Sequence, residues 1–173
     1  MTLGRLPATR VGDGKVVPVI IDKLIVLMKA WVSPRTGLTT WDCIPVDNWF
    51  HRDFANFKLT EWPNVVVVKT GTEYEYKHLP KGRGMEIMLQ VGFGMYEYGH
   101  LNDNQDLYVE YEFEEELDDL LQRYNRLDLE GSTDFKINKA ELVSSNTEIG
   151  PTEDGVVSIL SCNVKVNLFR CYL

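Results

Sequence analysis

The chain has no unbroken apolar run, few cysteines and no excess of positive charge, and each shortage removes a class of function. Its most apolar stretch, Val16 to Val32, is interrupted by Pro18, Asp22, Lys23 and Lys29. A membrane-spanning helix needs about 20 apolar residues in succession, so no membrane segment is expected. Arg5 and Arg10 are not followed by the apolar core of a secretory signal. Only three cysteines occur, Cys43, Cys162 and Cys171. An odd number without metal-ligand spacing fits reduced thiols made in a cytoplasm. Cys162 and Cys171 fall in one expected strand, about 30 Å apart at strand rise, and so cannot pair there. The net charge is −8. A general nucleic-acid binder needs a basic footprint, which this chain lacks.

The motifs of catalysis and cofactor binding are also missing. Gly12-Asp13-Gly14-Lys15 lacks the spacer, the following Ser or Thr and the preceding strand of a phosphate loop. A flexible arm is the better reading. His51, His78 and His100 are scattered, with no second His or Cys at zinc spacing. His51 with Asp53 is the one close His/acid pair. Cys43, near Asp42 and His51, has no glycine-rich elbow or helix N-terminus behind it to lower its pKa. A structural cysteine is expected. Glu114-Glu115-Glu116 with Asp118-Asp119 lacks the loop glycine and alternating spacing of a calcium site. No catalytic residue, cofactor or metal is therefore expected.

What the chain does have is concentrated acidity. Between Glu97 and Glu130 stand 12 Asp and Glu residues against Arg123 and Arg126, a net −10, so the rest of the chain is slightly basic at +2. Concentrated like charge costs stability through self-repulsion. That cost points to an acidic face kept for some purpose beyond folding, with a solvated helix face as the plain alternative.

At 173 residues the chain fits one domain, with a core burying roughly 70% of the unfolded surface. Residues 1 to 16, with Gly4, Gly12 and Gly14, read as a flexible arm, and residues 17 to 173 as a single α+β domain. Pro18 suits a first helical turn, and Ile21, Leu24, Ile25, Met28 and Trp31 recur at helical spacing. A helix is predicted from about Pro18 to Val32, ended by Ser33-Pro34 and Gly37. Residues 33 to 64 hold six aromatics without a period, and one helical turn is expected around His51 to Phe57. Val65 to Thr70 reads as a buried strand, and Thr72 to Lys77 as a second, half-buried one. Pro80 to Gly84 reads as a turn, and Met85 to Tyr98 as a long strand. The stripe Phe113, Leu117, Leu120, Leu121, Tyr124 and Leu127 predicts a helix from near Asp106, ended by Gly131-Ser132. Leu107 to Phe113 also alternates like a strand. Phe135 to Ser144 and Val156 to Tyr172 read as two strands, joined by a turn from Asn146 to Gly155. The order predicts a mixed, mostly antiparallel sheet with two main helices on one face.

That order resembles the tail terminator (tail completion) proteins of long-tailed bacteriophages over about residues 17 to 173. The resemblance is carried by the helix Val17 to Val32 and the Pro-led strand Trp62-Pro63-Asn64-Val65-Val66-Val67-Val68. It continues through the strand ending Gln90-Val91-Gly92-Phe93-Gly94 and the acidic helix Glu114 to Leu127. It closes with the strand pair from Val143-Ser144-Ser145 through Asp154-Gly155 to Arg170-Cys171-Tyr172. The aromatic insertion from Ser33 to Phe57 is longer than the family pattern.

The resemblance implies a hexameric ring at the head-proximal end of a tail tube. Such a ring ends tube polymerisation and meets neck and head-completion proteins. Its partners are then copies of itself, the tail tube protein and the neck, within a virion assembled in the host cytoplasm. DNA would slide through without specific binding, and an acidic lumen would repel its phosphates. Glu114, Glu115, Glu116, Asp118 and Asp119 are the candidate lumen residues. Trp41, Trp49, Phe50, Tyr74 and Tyr76 are the candidate subunit contacts, since aromatics are enriched at interface cores. Another neck or tail component (adaptor, stopper or tube subunit) shares these features. A small acidic enzyme would instead need a pocket joining Cys43, His51 and a carboxylate.

Overall fold

The computed structural model describes residues 16–51, 57–75, 82–98, 105–129, 134–152 and 155–171. Helix α1 spans Val16–Ala30 and helix α2 Gln105–Arg123. The strands are β1 (Trp49–Phe50), β2 (Asn64–Tyr74), β3 (Gly82–Tyr98), β4 (Phe135–Pro151) and β5 (Gly155–Cys171). They form one five-stranded sheet in the order β1-β2-β3-β5-β4. Among the described residues, only the two-residue β1 runs parallel to its neighbour, and every other strand pairing is antiparallel. The protein is α+β, with a mixed and mostly antiparallel sheet.

Helix α1 forms where its periodicity places it. Val16, Ile20, Ile21, Leu24, Ile25 and Met28 are buried along one stripe, Pro18 falls in the first turn, and Lys29 sits in the last turn, where it favours the dipole. In β5 the residues Ser158, Leu160, Cys162, Val164, Val166 and Leu168 are buried, while those between them are half-buried. Strand β3 alternates in the same sense, burying Met85, Ile87, Leu89, Val91 and Phe93. These faces and the apolar stripes of both helices make one continuous core. That core lies on the helix side of the sheet. The opposite side keeps a polar surface, in which Asn163 Nδ2 donates to Ser144 Oγ at 2.9 Å and Lys165 Nζ lies 3.4 Å from Glu86.

Several boundaries differ from the sequence reading. The two short strands expected at Val65–Thr70 and Thr72–Lys77 run together as one strand, β2, which ends at Tyr74, while residues 76 and 77 lie outside the described residues. A register shift between Lys69 and Gly71 absorbs the irregular residue as a bulge. Gly82-Arg83-Gly84, expected in a turn, already pairs with Phe169 to Cys171. The turn expected from Asn146 to Gly155 shrinks, because β4 stays paired with β5 out to Pro151. Thr152 N then donates to Gly155 O at 2.8 Å. Turn-forming residues become strand there because main-chain pairing with a long neighbour outweighs their local preference.

Helix α2 ends at Arg123 instead of continuing to Leu127. Leu127 and Asp128 both adopt left-handed φ values, 52° and 50°, which no continuing helix accepts. Leu127 remains fully buried. The aromatic stretch forms β1 and a 3-10 turn at Leu59–Glu61. Of the helical turn expected at His51 to Phe57, residues 52–56 lie outside the described residues. So do residues 1–15 of the expected arm.

Candidate functional site

The candidate site is built around α2, whose two flanks carry the carboxylates singled out from the sequence. A helix repeat of 3.6 residues places Glu112, Glu115, Glu116 and Asp119 along one flank. It places Glu114, Asp118 and Gln122 along the other. The first flank faces the loop after α1, and the second faces β4.

On the first flank, Glu116 is only 6% exposed. Trp31 Nε1 donates to its Oε2 at 2.7 Å, and the Ser33 hydroxyl donates to its Oε1 at 2.6 Å. The same hydroxyl accepts the amides of Arg35 and Thr36 at 3.2 and 3.4 Å. Both carboxylate oxygens are thereby occupied, which is what a buried charge requires. Arg35 reaches over this node, with Nη1 2.7 Å from Glu115 and Nη2 2.9 Å from Asp119. The hydrogen bond to Glu115, then the charge of Asp119, raises the Arg35 pKa above its ordinary value. A cleft of about 380 Å³ opens beside the node, lined by Arg35, Thr36, Leu38, Thr39, Thr40 and Glu112 among others.

This flank fastens a loop. Ser33 N donates to Leu38 O and Gly37 N donates to Ser33 O, both at 2.9 Å, with Gly37 at φ 70°. That tight turn presents Arg35 to the helix. Arg35 is exposed, and exposed ion pairs contribute little to stability. Arg35→Ala is therefore expected to leave the melting temperature nearly unchanged. Amide exchange across residues 33–38 should nevertheless quicken severalfold. Unchanged exchange would show that the turn holds without the guanidinium.

On the second flank, Glu114 accepts the Ser145 hydroxyl at 2.5 Å and Asp118 accepts Gln122 Nε2 at 2.9 Å. A second cleft, of about 430 Å³, lies between this flank and β4. Asp118, Leu121, Gln122, Asn125, Lys139 and Leu142 contribute to its walls. Lys139 Nζ lies 2.6 Å from Glu141 and draws the Glu141 pKa below its ordinary value.

The expected subunit contacts differ in their surroundings. Trp41 is 4% exposed and part of the core, its ring centroid 5.3 Å from that of Phe113. Trp49 is half-buried beneath Lys29 Nζ, 5.3 Å from its ring centroid. Phe50 packs at 5.0 Å on Phe57, which meets Trp62 at 5.5 Å. Tyr74 is half exposed, with the Arg83 guanidinium 4.6 Å over its ring. Tyr76 lies outside the described residues.

Among the described residues no group of three His, Cys, Asp or Glu is placed to hold a metal ion, and no helix is long and apolar enough to cross a membrane. His51 Nε2 lies 3.6 Å from Asp22 Oδ1, while its sequence neighbour Asp53 lies outside the described residues. Cys43 is exposed, yet partial sheltering and the charge of Asp42 push its thiol up, against the lowering by a backbone hydrogen bond. A nucleophilic cysteine needs the opposite shift. Burial pushes Cys162 up to about 12, with Glu114 adding to it. An unfolded thiol ionises near 9. The folded state therefore keeps a proton that the unfolded state releases, and stability should fall as pH rises from about 9 through about 12. Cys162 should also escape thiol reagents at pH 8 until urea unfolds the chain. Rapid labelling of the folded protein at Cys162 would contradict its burial.

The Trp31–Ser33–Glu116 node and the Arg35 clamp were not anticipated. One signal was present in the sequence. Glu116 follows Phe113 by three and precedes Leu120 by four, on the apolar stripe itself. Its partners lie more than 80 residues away and left no local pattern. The sequence matches no protein-family model and no curated protein.

Proposed function

We propose that this chain is a structural virion subunit that caps the head-proximal end of a phage tail tube as a ring, most simply a hexamer. It ends tube polymerisation and joins the tail to the neck while DNA passes through. The observation that carries this reading is the one-sided build of the sheet. Strands of 11 to 17 residues make a broad sheet whose two helices cover the same face. Among the described residues, the face opposite the helices is polar along β4 and β5 and the outer strand edges are largely unpaired, which leaves both for neighbours. The element order is the one on which the family resemblance rests. The charge of α2 supports the passage of DNA, since an acidic bore repels phosphate. Glu116 is spent inside the fold and Asp118 faces the cleft beside β4, which leaves Glu114, Glu115 and Asp119 as the residues to line the bore.

Electron microscopy of particles assembled without this chain tests the proposal. Overlong or headless tails are expected. Absent tubes would instead indicate a tube subunit, and normal particles lacking an enzymatic activity would overturn the structural reading.

A further inference from the structure

The sheet ends in two incomplete edges. On one side, β1 pairs only with Val65 and Val66 of β2. Among the described residues, β2 has no strand partner on that side from Val67 to Tyr74. On the other side, and again among the described residues, β4 has no outer strand. The turn after α2 closes a single point there, where Ala140 N donates to Asn125 O at 2.6 Å. Three successive antiparallel pairings separate the two edges, so β2 and β4 run in opposite directions. A second copy turned about an axis along the strands therefore brings its β2 antiparallel to β4. Its helices stay on the same side of the extended sheet.

The register decides what would meet. Lys69 pairs with Leu89, Leu89 with Val164 and Val164 with Leu142, so these residues form one row across the sheet. Leu89 and Val164 are fully buried on the helix side, and Lys69, sharing their row, lies on that side too. Lys69 is exposed, with no ion-pair partner among the described residues. Leu142, at the far end of the row, walls the cleft beside Asp118. Asp118 has Gln122 as its hydrogen-bond partner and no cation among the described residues. Among the described residues, a cation without an ion-pair partner on one edge is thus level with a carboxylate without one above the other. A two-fold pairing of β4 with β4 centred on the row of Leu142 would set Asp118 toward Asp118, and like charges brought together are repelled.

We infer that copies of this chain join head to tail, with the β2 edge around Lys69 of one copy seated in the α2–β4 cleft of the next, where Asp118 receives the lysine. The inference rests on the ring reading above and adds the surface on which the ring closes. Such a heterologous contact repeats around an axis until it closes. Edge pairing adds main-chain hydrogen bonds to the charge contact.

Charge exchange tests it. Lys69→Glu and Asp118→Lys are made separately, and circular dichroism confirms that each folds. Light scattering then measures ring mass for the chain alone and bound to tail tubes. Each variant alone should weaken ring formation more than about tenfold, because each contact now sets like charges together. An equimolar mixture should restore rings, since alternating copies again place opposite charges across every contact. Rings that form equally well from each variant alone would overturn this contact and leave the ring itself intact. Failure of the mixture to recover would overturn it as well. A wild-type chain that is monomeric both free and on tubes would remove the ring and the contact together.

Discussion

Glu116→Ala is expected to lower stability by about 3 kcal/mol, the sum of two buried donors left without acceptors. In a domain of this size that corresponds to a drop in melting temperature of about 6 to 12 °C. Trp31 Nε1 and the Ser33 hydroxyl both end on this one carboxylate. Removing it frees the α1 exit loop from α2 and leaves polar hydrogens facing a cavity. Glu116→Gln supplies the control. Its amide oxygen still accepts from one of the two donors and only the other is lost, so the loss should fall to about 1 kcal/mol. Thermal or urea unfolding of both variants checks the difference. Equal, small losses would mean that water replaces the carboxylate at little cost and that the node is not a fastening.

A second large effect is expected at Phe113, which is 2% exposed. Its ring stacks on Phe93 of β3 with centroids 4.7 Å apart and planes 11° apart, and also meets Trp41. One side chain therefore joins sheet, helix and aromatic insertion. Phe113→Ala should cost about 4 kcal/mol through lost burial and the cavity left behind. Phe113→Leu keeps most of the volume and forfeits mainly the ring contacts, about 1 kcal/mol. Chemical denaturation with tryptophan emission as the signal measures both. A cost for Phe113→Ala near that of Phe113→Leu would show that the neighbours collapse into the space, so that this junction is not what holds the insertion.

The legible parts of the fold were those whose burial repeats along the chain. The stripe through Ile21, Leu24, Ile25 and Met28 and the alternation through Leu160, Cys162, Val164 and Val166 report an apolar environment at a fixed angular step. The far half of β4 carries no such report. From Val143 to Pro151 its residues are exposed apart from the half-buried Gly150, and only pairing with β5 keeps them in a strand. Strand β1 is two residues long, too short for any period. Its parallel pairing also depends on a stretch of chain arriving from beyond the loop. The site divides in the same way. Acidic concentration on α2 was plain in the sequence, while its use was not. Glu115, Glu116 and Asp119 grip the segment from Trp31 to Arg35, a contact set by how the two helices lie on the sheet. Trp41 illustrates the converse. An aromatic without local period suggested a neighbour's surface, and the core of its own chain receives it.

The most direct measurement on the proposed function is tube growth in the presence of the purified chain. Tail tube protein is polymerised alone and with increasing amounts of this chain, and tube lengths and ends are recorded by electron microscopy. The account predicts shorter tubes, each carrying a ring of this chain at one end, with length falling as the ratio rises. Tubes of unchanged length with bare ends would contradict it, as would this chain spread along the tube wall.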